Sequence, residues 1–280
     1  MSQERPSVPA LVGSLLLALV AYGVGLVGMG FAQARLVGNL ELRGVLILSE
    51  LALALPAVLA AVFLSRTVPD LYRFRPLVPW GALKTVALGL ALWALSLGVF
   101  EAQFVLVKPP IAYLEQFQGF HELLKPVGLS GWIFSIGAIA FAPAICEEIV
   151  FRGLLTPVFR KVAGPIVAIV ISAGLFAAIH IDALRVGDAI VSVYYRVPFA
   201  FILGMLLAKI RLDTGSLWPP IIAHATLNAT TFVVVLFVEE PTGVLPDPQP
   251  LVALGMLLAG SLVARVLMRQ IQPKESALSA

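Results

Sequence analysis

Apolar runs of membrane-spanning length follow one another along almost the whole of this 280-residue chain, and that succession leaves few folds open. A transmembrane helix needs about 20 mostly apolar residues. Eight segments meet that measure: 9–31, 44–64, 82–107, 131–155, 165–180, 188–210, 216–238 and 251–268. In lipid only helices and closed barrels satisfy their own backbone groups. Runs of this length without alternation of apolar and polar residues are helical, so the sequence predicts an all-α, polytopic bundle of about eight transmembrane helices. The fifth run is short for a span and is expected to tilt or extend into its loops.

Composition agrees. Hydrophobic residues make up 60% of the chain and charged residues 12%, against about half and a quarter in a soluble domain. A single cysteine, Cys146, excludes an intrachain disulfide. The net charge of +3 reads as the basic excess of cytoplasmic loops rather than as a nucleic-acid surface, so lipids, and no nucleic acid, are the expected surroundings.

Charge also sets orientation. Twelve basic residues fall on one side of the predicted spans: Arg5, Arg66, Arg73, Arg75, Lys84, Arg160, Lys161, Lys209, Arg211, Arg265, Arg269 and Lys274. The other side carries five: Arg35, Arg43, Lys108, Lys125 and Arg185. The positive-inside rule then puts both termini in the cytoplasm. Segment 9–31 precedes a signal-peptide-like Ala32-Gln33-Ala34, but its apolar stretch exceeds the roughly 7–15 residues of a signal core, so a retained helix is expected. With no internal repeat or low-complexity tract, residues 1–280 read as one membrane-embedded domain. The stretch 108–130, which holds His121, reads as an interfacial connector.

Ionisable residues inside such spans are expensive and are functional candidates by default. The fourth span contains Glu147, Glu148 and Arg152. Four residues apart on a helix, Glu148 and Arg152 share a face and can neutralise each other. Glu147 is turned about 100° away and has no local partner. The fifth span ends in His180, and the seventh holds His224 and Asn228, again four apart. A desolvated carboxylate makes a good general base, a histidine can orient it, and His224 with Asn228 can donate to a developing oxyanion. Alternatively Glu147, His180 and His224 could bind a metal such as Zn²⁺. Either design activates water against a carbonyl. Glu50, Glu101 and Arg196 also lie in spans; interhelical pairing, a water-filled entrance or contact with substrate would account for them.

Three motifs in order, Glu147-Glu148-x-x-x-Arg152, Phe176-x-x-x-His180 and His224-x-x-x-Asn228, resemble those of the CAAX prenyl protease 2 and bacteriocin-processing (CPBP, or Abi) intramembrane protease family. Phe151-Arg152-Gly153-Leu154-Leu155, Gly204 and the run 214–221 leading into His224 fit as well. The resemblance covers residues 131–231, the motif-bearing core. It implies an intramembrane endopeptidase, of glutamate or metallo type, that cuts near the C-terminus of a membrane-attached and sometimes prenylated protein or peptide. Carried over, Glu147 activates water with His180 assisting, His224 and Asn228 stabilise the oxyanion, and Glu148 and Arg152 support the geometry. The Ala-, Leu- and Val-rich composition suggests a prokaryotic plasma membrane. The rival readings are a non-catalytic immunity or sorting partner and a small proton-coupled transporter.

Overall fold

A computed structural model describes residues 7–111, 124–181, 189–237, 247 and 249–271. His121, Arg185 and Lys274 lie outside these. Among the described residues the chain is all-helical, with no strand. We number the helices α1 (Val8–Leu36), α2 (Leu42–Leu64), α3 (Pro79–Leu106), α4 (Gly128–Ala163), α5 (Pro165–Ala178), α6 (Ala189–Thr214), α7 (Trp218–Val235) and α8 (Pro250–Gln270). Six of them are long and apolar enough to cross a membrane. Of the other two, α5 has 14 residues and reaches only about 21 Å at 1.5 Å per residue. The seventh, α7, is diluted by His224, Asn228 and three threonines.

The bundle packs α1 on α2, α3 on α7 and α8, α5 on α6, and places α4 among α2, α5 and α7. Its core joins Leu53 and Ala57 of α2, Leu88 and Leu92 of α3, Val150, Phe151 and Leu154 of α4, Phe176 of α5, and Leu203 and Leu207 of α6. Outward faces carry exposed leucine, valine and phenylalanine, the pattern of helices whose solvent is lipid. The chain is a multi-pass membrane protein.

The fourth helix departs from the hydropathy reading. Hydropathy ends it at 155, whereas α4 continues to Ala163, because its last two turns carry Arg160 and Lys161 and so fall outside an apolar window. It also contains two π-helical stretches, Gly137–Phe141 and Ile149–Leu155. The first ends two residues before Pro143, whose missing N–H an α-helix cannot accommodate without a local change of hydrogen bonding. In the second, the Phe151 carbonyl accepts from the Thr156 amide, from Thr156 Oγ1 at 2.8 Å and from Ser172 Oγ of α5 at 3.2 Å. A one-residue link, Gly164 with φ of +86°, then turns the chain into α5; glycine adopts this backbone without penalty.

In α6, Pro198 deprives the Tyr194 carbonyl of its helical donor. The Gln103 side-chain amide of α3 supplies a replacement, and the Tyr194 hydroxyl donates back to the Gln103 carbonyl at 3.0 Å.

Candidate active site

The motif residues meet where α4, α5 and α7 surround Phe176. Glu148 and Arg152 are completely buried, as the i, i+4 spacing on α4 foretold for a paired set. Arg152 donates through one terminal nitrogen to Glu148 Oε1 at 2.8 Å and through the other to the Gly204 carbonyl of α6 at 3.0 Å. Its guanidinium lies over the Phe176 ring, 4.5 Å from the centroid, a cation–π contact. The two helices α5 and α6 come close enough for this because Gly204 has no side chain. A Cβ there would lie 2.9 Å from the Ala173 Cα.

His224 connects the two glutamates. Its Nδ1 lies 3.0 Å from Glu148 Oε1, and its Nε2 lies 3.7 Å from Glu147 Oε2. The first is a hydrogen bond; the second is beyond that range. Glu148, held by Arg152, is an acceptor, so Nδ1 is the donor and the ring is fixed with Nε2 toward Glu147. Glu147 is itself buried, and its Oε2 has no hydrogen-bond partner among the described residues. Spacing along the sequence showed Glu147 as the half of the pair without a local partner, but it gave no sign that His224 would bridge it to Glu148.

The ring of Phe176 stands 4.9 Å from His180 and 5.8 Å from His224, centroid to centroid, and Phe151 packs edge-on against it at 5.2 Å. His180 follows the end of α5 and its Nδ1 bonds the Phe176 carbonyl at 2.9 Å. Because α5 is so short, its end brings His180 onto the same Phe176 ring that His224 meets. Asn228 is half-buried one turn beyond His224 on α7.

Among the described residues, no three His, Cys, Asp or Glu side chains form a group able to hold a metal ion.

Glu50 belongs to α2. The parallel helices α2 and α4 are tied near one end by Arg43 Nε donating to Ser135 Oγ at 2.8 Å. Near the other end, the Tyr72 hydroxyl donates to the Ala57 carbonyl at 2.7 Å while its ring fills the space beside Gly153. Glu50 lies between these ties, on the stretch of α2 that runs beside α4. Glu50, Glu101 and Arg196 make no ion pair among the described residues, and Glu50 Oε2 and Glu101 Oε2 are buried without a hydrogen-bond partner. Among the described residues, interhelical pairing therefore does not account for them.

A loop that the sequence marked only as basic, 65–78, closes one side of the site. Its Arg73 carbonyl accepts from the Leu217 amide at 2.8 Å. The Arg75 amide donates to Ser216 Oγ at 3.1 Å, and Arg211 donates to the Asp70 carbonyl at 2.6 Å. Tyr72 has φ of +45°, a strained conformation for a bulky residue, held by the contacts its ring and hydroxyl make. Burial holds its phenol above the ordinary tyrosine range. Tyr72 could have been suspected only from its tertiary neighbours.

Residues 129–230 match the family described as type II CAAX prenyl endopeptidase Rce1-like. In this core, the chain is similar to the CPBP/CAAX protease family. No curated protein and no solved structure matches it. The matched stretch runs from α4 to α7 and contains every motif residue described above; α1–α3 and α8 lie outside it. The family is one of membrane proteases.

Proposed function

We propose that this CPBP-like protein hydrolyses a peptide bond within the membrane, near the C-terminus of a membrane-attached protein or peptide. Prenylated proteins are the substrate class that the family description names. One observation carries the reading: a buried carboxylate oxygen, Glu147 Oε2, without a hydrogen-bond partner among the described residues and facing a histidine whose other nitrogen is anchored.

In this reading Glu147 takes a proton from water, and the hydroxide forms a C–O bond to the scissile carbonyl. His224 and Asn228, on one face of α7, donate to the tetrahedral oxyanion. His180 supports Glu147 from the end of α5. The C–N bond then breaks, and the proton passes from Glu147 to the leaving amine. Glu148 and Arg152 hold His224 in place and neutralise each other. From the basic excess of one set of loops we assign both termini to the cytoplasmic side, and we assign the chain to a prokaryotic plasma membrane.

The test is cleavage of membrane-anchored peptides by the purified chain. Glu147→Gln is isosteric and should lower turnover by about 10²–10⁴-fold, the weight of a general base, while the thermal midpoint stays put. Undiminished turnover in Glu147→Gln would remove it as the base. Undiminished turnover in His224→Ala as well would sink the whole assignment.

A further inference from the structure

Arg196 lies in the membrane-spanning part of α6, is exposed, and makes no hydrogen bond or ion pair among the described residues. A guanidinium in that position is expensive unless it faces water or an anion. Two features show which way it faces. Along α6, Arg196, Ala200, Leu203 and Leu207 fall on one stripe at spacings of 4, 3 and 4; the last three are buried in the core. Arg196 thus sits on the inward stripe, at the point where the packing opens. Its depth follows from register. The antiparallel helices α5 and α6 touch at Ala173 and Gly204. Seven residues on from Ala173 is His180, and seven back from Gly204 is Val197, so Arg196 stands level with His180.

We propose that Arg196 binds the C-terminal carboxylate of the substrate, and so selects bonds close to a free chain end. The proposal rests on the hydrolase reading above. That reading brings one anion to the site at a fixed separation from the scissile bond, the terminal carboxylate. A guanidinium fork matches a carboxylate with two parallel hydrogen bonds. Arg196 acts on the substrate end rather than on the reacting carbonyl, so its loss should raise KM far more than it lowers kcat.

The experiment uses the full chain in nanodiscs and three farnesylated Cys-aliphatic-aliphatic-X peptides. One has a free C-terminus, one a C-terminal amide, and one an amide with glutamate as its last residue. Wild type should cleave the free acid with kcat/KM about ten- to hundred-fold above the plain amide, the weight of a charge-assisted hydrogen bond. The amidated glutamate peptide should behave like the plain amide. Arg196→Gln should cleave all three at the amide's rate, with the change in KM, and Arg196→Lys should recover part of the preference. Binding to Glu147→Gln and to Glu147→Gln/Arg196→Gln, read by fluorescence anisotropy, separates recognition from chemistry. A preference for the acid that depends on Arg196, without turnover in wild type, supports the carboxylate site and overturns the hydrolase reading. Equal cleavage of acid and amide by wild type, a preference surviving in Arg196→Gln, or equal binding of acid and amide overturns the role of Arg196 and leaves the hydrolase reading in place. Rescue of the amide by its glutamate side chain would show that Arg196 reads any nearby carboxylate and would overturn the assignment to the chain end.

Discussion

Replacing Arg152 with methionine isolates the buried network from the chemistry it serves. The guanidinium is fully buried, with hydrogen bonds of 2.8 Å to Glu148 and 3.0 Å to the Gly204 carbonyl. Methionine keeps most of the volume, so the cavity contribution is small. Glu148 then remains in the core with His224 as its remaining partner. Removing one partner of a buried pair costs about 3–5 kcal/mol, whereas replacing both by neutral groups of similar volume is often neutral or stabilising. Arg152→Met should therefore destabilise by about 3–5 kcal/mol, and Glu148→Gln/Arg152→Met should recover most of the loss. The recovered double variant should still be a poor enzyme, because a neutral amide holds His224 less firmly than the carboxylate. The assay is unfolding in mixed detergent and dodecyl sulfate micelles, followed by circular dichroism, with peptide cleavage measured on the same samples. A loss below about 1 kcal/mol, the range of exposed ion pairs, would refute the account of the network as a buried, coupled set. So would a double variant no more stable than Arg152→Met.

Two further substitutions test how the site is enclosed. Gly153→Ala puts a methyl group into the Tyr72 ring and should destabilise by about 1–3 kcal/mol as overpacking; faster proteolysis within 65–78 would report the displaced loop, and an unchanged cleavage pattern would exclude the contact. Gln103→Leu removes the donor that replaces the one missing at Pro198; the orphaned Tyr194 carbonyl should cost about 1–3 kcal/mol, read in the same unfolding assay, and Gln103→Leu combined with Pro198→Ala should recover it.

The legible part of the candidate site was the part that lies on one helix. Glu148 with Arg152, and His224 with Asn228, could be paired on spacing alone because four residues bring side chains to one face. Contacts between helices had no such signal. Nothing in the spacing ties His224 to Glu148 across 76 residues, sets Phe176 against both histidines, or sends Tyr72 to Gly153. The fifth run was legible as short for a span, and α5, with 14 residues, is shorter than a full crossing.

What the sequence determined by itself is the solvent and the secondary structure. Twenty-residue apolar runs admit helices in lipid and little else, because backbone groups there must be satisfied within the segment. Hydropathy placed all eight helices within a few residues wherever apolar content marked their ends, and missed the end of α4 where Arg160 and Lys161 carry the helix onward. What only the tertiary structure decided is which ionisable residues converge. Once every helix is apolar all round, hydropathy no longer says which face meets which neighbour. Close approach at Gly204, the register of α5 against α6, and the buried Glu148–Arg152 pair decide it, leaving Glu147 with one unpartnered oxygen and placing Arg196 level with His180.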